Sequence, residues 1–210
     1  MLKLFKAAGW LTPLLALAAL AAARAQTPPE RISVAVFAGG CFWCVEEAFE
    51  VVPGVVRAVS GYTGGTTIDP TYEQVSSKGT GHFESVQVSF DASKVSYAQL
   101  LDWFWRNIDP LDATGQFCDK GSPYRSAIFY SNDEQKQIAE ASKRALQASG
   151  RIKGEIATLI LPAGPFYPAE EYHQGYAKKN PFKYQYYKQG CGRPQRLEQI
   201  WGPPAPPPTQ

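Results

Sequence analysis

The stretch Gly39-Gly-Cys-Phe-Trp-Cys44 constrains the fold more than any other part of the chain. It follows a β-branched and apolar run, Ile32 to Phe37, that reads as a buried strand. Behind it Val45, Ala48, Phe49 and Val52 recur at helical spacing, until Pro53-Gly54 stops the helix. A strand that breaks at two glycines and turns straight into a helix puts Cys41 at the helix mouth. Free N–H groups point outward there and carry partial positive charge. A thiolate is stabilised at such a place, so Cys41 is expected to have a lowered pKa and a reactive sulfur. The plain alternative is a buried, inert cysteine, which is common for this residue type.

The rest of the chain shows no internal repeat. Val55 to Ser60, Glu84 to Phe90, Ala127 to Tyr130 and Ile156 to Leu161 read as further strands. Ser96 to Gln99 is a capping box ahead of Leu100, Leu101, Phe104, Trp105 and Ile108 on one helical face. Ser131 to Glu134 caps another helix, which Gly150 ends. Tyr62 to Phe83 reads as a long Gly/Thr/Pro loop, and a loop of that length in a compact domain is usually functional. After Pro162 the chain turns aromatic, polar and largely irregular. The predicted class is α+β: a two-layer sandwich with one mixed, mainly antiparallel sheet, helices packed against it, and an irregular C-terminal extension.

The two ends differ from this body. Residues 1–25 carry Lys3 and Lys6, an apolar run from Ala7 to Ala23, and Ala23-Arg-Ala25, the pattern of a cleaved signal peptide. Pro13 interrupts the run, which argues against a retained anchor. A periplasmic or otherwise exported protein starting near Gln26, without stable membrane association, is expected. Residues 201–210 are Pro-rich and read as a disordered tail. A net charge of +2 speaks against nucleic acid as a partner. No exposed apolar stripe stands out, so a monomer is expected.

The chain has four cysteines, Cys41, Cys44, Cys118 and Cys191. In an exported protein they suggest disulfides or redox chemistry. Cys44 completes a CxxC with Cys41, a spacing that can close a disulfide. Cys118 and Cys191 stand alone and the two histidines, His82 and His173, are far apart, so no metal is expected. Glu84 shares strand parity with Val86, Val88 and Phe90, which places it at the core-side end of a strand. Desolvation would raise its pKa and keep it protonated, as a general acid needs. The alternative is a strand-end glutamate that curls into solvent. Tyr72 and Tyr124 sit in loops, where a phenol either binds a substrate oxygen or caps the core edge.

Gly40-Cys-Phe-Trp43, Gly61-Tyr-Thr-Gly-Gly65, Pro70-Thr-Tyr72, Thr80-Gly-His-Phe-Glu84, Gly121-Ser-Pro-Tyr-Arg-Ser126 and Tyr172-His-Gln174 occur in this order. Together they resemble peptide methionine sulfoxide reductase A, and the likeness would make residues 26–200 one such domain. The resemblance implies that Cys41 attacks the sulfoxide sulfur, that Glu84 protonates the oxygen, and that Tyr72 and Tyr124 bind it. It implies that Phe42 and Trp43 wall the methyl-sulfur group and that Asp119 belongs to the same pocket. It further implies the S epimer as substrate, a sulfenic acid at Cys41, a resolving cysteine and a thioredoxin-like reductant, with no cofactor. Two positions depart from the common pattern, Cys44 where glycine is frequent and Cys118 beside Asp119. Cys191, flanked by Gly190 and Gly192, is the first candidate for the resolving thiol, Cys44 the second and Cys118 the third. Competing readings are a thioredoxin-like disulfide oxidoreductase using the CxxC, and an exported binding domain with two structural disulfides.

Overall fold

The computed structural model describes residues 31–208, and the expected signal peptide lies outside them. The first half forms β1 (Ile32–Gly39), α1 (Phe42–Glu50), β2 (Val55–Thr63), α2 (Tyr72–Ser76), β3 (Phe83–Asp91) and α3 (Tyr97–Arg106). Then come β4 (Gly115–Gln116), β5 (Asp119–Lys120), β6 (Ser126–Tyr130), α4 (Asp133–Ala148), β7 (Leu159–Pro162) and β8 (Tyr167–Pro168). Three helices close the chain: α5 (Tyr176–Lys179), α6 (Pro181–Gly190) and α7 (Arg193–Trp201).

Six strands make one sheet in the order β7-β6-β1-β3-β2-β8. All neighbours run antiparallel except β6 and β7, so the sheet is mixed and mainly antiparallel. The unbroken apolar run of β1 has a simple cause: both of its faces are covered. Ala35 and Phe37 join the main core with Val86, Val88, Leu101 and Phe104. Val36 and Ala38 join a smaller cluster with Phe83, Ala127 and Phe129 on the other face. The Phe37 ring stacks on Phe49 at 4.9 Å and Phe104 at 5.0 Å, tying α1 and α3 to the centre of the sheet. Burial of each such side chain contributes ~1.5–3 kcal/mol.

The capping box of α3 forms as its sequence suggests. Ser96 Oγ accepts from the Gln99 N–H at 3.2 Å, and Gln99 Oε1 accepts from the Ser96 N–H at 2.9 Å. Three regions depart from the sequence reading. The loop expected over Tyr62 to Phe83 is shorter, because β2 runs on to Thr63 and Thr71 caps the one-turn helix α2. The last long strand begins at Leu159 rather than Ile156, where the parallel ladder with β6 begins. The stretch after Pro162, expected to be largely irregular, carries α5, α6 and α7. Residues 202–208 contain neither helix nor strand, and Gly202 to Ala205 form one wall of a surface groove.

Candidate active site

The strand-to-helix junction is built as its sequence requires. Gly40 has φ +81°, and a Cβ there would lie 2.5 Å from Gln116 Cβ, so only glycine fits. Cys41 is the N-cap residue of α1, and its carbonyl accepts from the Cys44 N–H at 3.1 Å. The next free N–H of the helix mouth, that of Phe42, donates to Glu84 Oε2 at 3.0 Å. This bond joins α1 to β3 and holds the acid within electrostatic reach of the thiol.

Glu84 is 3% exposed and shares its face of β3 with Val86, Val88 and Phe90, all buried. The strand-end alternative, a side chain curling into solvent, does not occur. Burial is the largest influence on Glu84 and the Asp119 charge adds to it; the Phe42 N–H opposes them, and the carboxyl is pushed up to about 8. It is neutral at neutral pH. Tyr72 is pushed up to about 12 by burial, then by the charges of Glu84 and Cys41, and its hydroxyl pairs with that of Tyr124. Tyr124 is raised by burial and by the same neighbours. The structure therefore brings Cys41, Glu84, Tyr72, Tyr124 and Asp119 within electrostatic reach of one another.

The aromatic side of the cavity is a connected stack. The Phe42 ring lies 5.0 Å from His173 and 6.4 Å from Tyr72. Trp43 stacks on Tyr176 at 3.7 Å, and its Nε1 donates to His173 Nδ1 at 3.0 Å. That bond leaves the His173 proton on Nε2, which is buried without a partner. Glu170 holds the wall from behind, accepting from the Tyr72 N–H and the Tyr62 hydroxyl, each at 2.8 Å.

Tyr184 and Tyr187 are neighbours of the two cysteines that the sequence reading missed. They lie three apart on α6 and face the cysteines with Cys41, Cys44 and Trp43. Tyr187 donates to Asp119 Oδ2 and also contacts the Cys41 sulfur. Tyr184 donates to Glu47 at 2.6 Å and contacts the Cys44 sulfur. Arg193 is a third. Its guanidinium donates to the carbonyls of Asn107 and Gly39, each at 2.8 Å, and lies over the Phe117 ring. Helical spacing of the two tyrosines was the available signal, but the region lacks a clear apolar stripe.

Cys41 and Cys44 are both free and buried, and their side chains hydrogen-bond each other. The charge lies opposite to the sequence expectation. Burial, then the bond to Cys44, pushes the Cys41 thiol up. Cys44 is drawn down to about 6, first by the bond from Cys41 and then, against burial, by Arg193, Tyr184 and Lys188. Burial outweighs the helix mouth at Cys41, while Arg193 and Lys188 favour the charged form of Cys44. Cys191 is bonded to Cys118, not to Cys41. The two-disulfide reading is thus not met. Cys118, Asp119 and Cys191 are the one group of metal-type ligands among the described residues, but both sulfurs are spent in the disulfide.

A sequence model of the peptide methionine sulfoxide reductase family matches residues 33–204. The chain belongs to that family. A peptide methionine sulfoxide reductase of Bacillus licheniformis is 54% identical over 173 residues, covering 82% of this chain and 96% of that protein. One from Listeria monocytogenes is 50% identical over 172 residues, again 82% of this chain and 97% of its own. Among solved structures, Mxr1 from Saccharomyces cerevisiae in reduced form is similar, with a TM-score of 0.66 and 32% identity. It covers 74% of this chain and 88% of its own. Methionine sulfoxide reductase A of Corynebacterium diphtheriae gives 0.63 and 34%, over 71% of this chain and 76% of its own. Within the reductase frame, the neutral Glu84 carboxyl beside the Cys41 thiol is the feature with direct chemical meaning.

Proposed function

We propose that this protein reduces methionine sulfoxide, free or within oxidised proteins, to methionine, with Cys41 as nucleophile and Glu84 as acid. The Phe42 N–H bond to Glu84 carries the reading, since it holds a neutral carboxyl beside the residue that follows a buried thiol. Cys41 attacks the sulfoxide sulfur while Glu84 and the hydroxyls of Tyr72 and Tyr124 take the oxygen, which needs a proton to leave sulfur. The hydroxyl then bonds to Cys41 Sγ as the bond between the two sulfurs breaks; methionine departs with that electron pair and Cys41 is left as a sulfenic acid. Phe42 and Trp43 give the methyl-sulfur group aromatic neighbours, a favourable contact for sulfur. Asp119, anchored by Tyr187, and the unpartnered His173 Nε2 supply polar contacts at the rim.

The resting charge on Cys44 passes to Cys41 along the hydrogen bond between the sulfurs when substrate enters. Cys44 is then the resolving thiol in this reading, ahead of Cys191. It already touches Cys41, whereas Cys191 is engaged with Cys118. Attack of Cys44 on the sulfenic acid releases water and closes a Cys41–Cys44 disulfide, and a thioredoxin-like dithiol reopens it. No cofactor is needed for these steps. The leader-like pattern of residues 1–25 supports a protein that works outside the cytosol with its mature N-terminus near Gln26, and this reading takes it as a monomer.

A methionine-sulfoxide peptide reduced with dithiothreitol and resolved by epimer tests the core of this reading. The S epimer should disappear and the R epimer persist. Equal consumption of both, or full turnover by Cys41→Ser, would sink it.

A further inference from the structure

Cys41 and Cys44 stand on one helical turn, yet they face different spaces. Cys41 shares its surroundings with Glu84, Asp119 and Tyr187. Cys44 lines a surface groove of about 420 Å³ between α1, α3, α6 and α7. Cys44 and Ala48 of α1 and Val51 just beyond it form one stripe along that groove, and neither Cys41 nor Glu84 is among its lining residues. Helix α6 divides the two spaces. Tyr187 contacts Cys41, while Lys188 and Gln189 border the groove.

We propose that this groove is the docking site of the protein dithiol that regenerates the enzyme, and that Cys44 is the sulfur it attacks. The inference rests on the reading that Cys41 and Cys44 form the catalytic disulfide. Substrate and reductant then use separate doors. The attacking group is a thiolate, and the groove offers positive charge where it must arrive. Arg193 lines the groove and spends its fork on two carbonyl oxygens, which leave its charge intact. Lys188 stands nearby in an ion pair with Glu47, so Arg193 is the cation left to meet the incoming thiolate. Ala48, Val51, Leu197 and Trp201 make the walls apolar, which suits the surface around a protein thiol more than a heavily charged small thiol.

The step balances. The reductant thiolate bonds to Cys44 Sγ as the Cys44–Cys41 bond breaks, and Cys41 leaves as a thiolate. The second thiol of the reductant loses its proton and attacks the mixed disulfide. Cys44 is released reduced, and the partner is oxidised by two electrons.

Val51 is 56% exposed on the groove rim, and Gln189 is exposed opposite it; neither belongs to the side chains grouped around Cys41 and Glu84. Gln189→Trp and Val51→Trp should plug the groove, and either folded variant suffices. Release of the first methionine from reduced enzyme should stay within about twofold of the unmodified protein. Reduction of the oxidised enzyme by thioredoxin should slow about tenfold or more. Thioredoxin reducing both plugged variants within about twofold of the normal rate overturns the groove. Peptide mapping of the oxidised enzyme separates the two failures. Cys41 bonded to Cys118 or Cys191 overturns the reading beneath, and the groove with it; an intact Cys41–Cys44 bond with unslowed reduction overturns the groove alone.

Discussion

Cys41 and Cys44 are three residues apart, buried and unbonded, while Cys118 and Cys191 are 73 residues apart, nearer the surface and joined. The first pair is held by one helix and surrounded by ionisable groups: Glu84, Tyr184, Tyr187 and Arg193. The second pair links the β4–β5 hairpin to the α6–α7 joint. The difference teaches that reactivity here follows surroundings rather than sulfur. A hydrogen-bonded thiol pair beside an acid held above the usual carboxylate range is poised for chemistry. A bond closing a long loop mainly restricts the unfolded chain.

The sharpest break of this comparison is Cys41→Ser. It should remove sulfoxide reduction by at least about 10³-fold, as loss of a nucleophile does, in a steady-state assay with dithiothreitol. Glu84→Gln should follow with a loss of about 10²-fold or more in the methionine-forming step, read by rapid quench. The acid works only while protonated, so the rate of that step should fall as pH rises through about 8. The stability sign is the unusual one for a carboxylate. The folded value lies above the unfolded one, so charging Glu84 removes stability as pH rises from the ordinary carboxylate range through about 8. Glu84→Gln should flatten that decline in thermal melts taken across pH.

Cys44→Ser should leave one methionine per enzyme in a single turnover and slow thioredoxin-driven cycling about tenfold or more. It should also lower the pH at which iodoacetamide alkylates Cys41, since the bond and charge of Cys44 both push that thiol up. An upward shift would break this account of the pair. The smallest activity effect belongs to Cys118→Ser. First-turnover methionine release should stay within about twofold, while unfolding without reductant should lose ~2–4 kcal/mol. A collapse of turnover would instead place the outer pair in the chemistry.

Much of the inner site was legible because it is local. The end of β1, the glycine break and the start of α1 are set by neighbouring residues, and the parity of Glu84 with Val86, Val88 and Phe90 follows from strand geometry alone. The position of the charge was not legible. It depends on Arg193 and Lys188, which approach Cys44 from α6 and α7, about 150 residues along the chain. Tyr184 and Tyr187 were missed for the same reason. Helix α6 has an exposed Phe182 and Tyr186 beside a buried Tyr184, so no stripe marks its inner face.

By itself the sequence determined the strand-to-helix junction, the core-facing acid and the family, because each depends on short-range spacing or on ordered motifs. Only the tertiary structure decided which cysteines pair, which groups push each thiol up or down and which side chains surround each sulfur. Those properties come from groups distant along the chain that meet in a low-dielectric interior, where their contacts outweigh the local helix end.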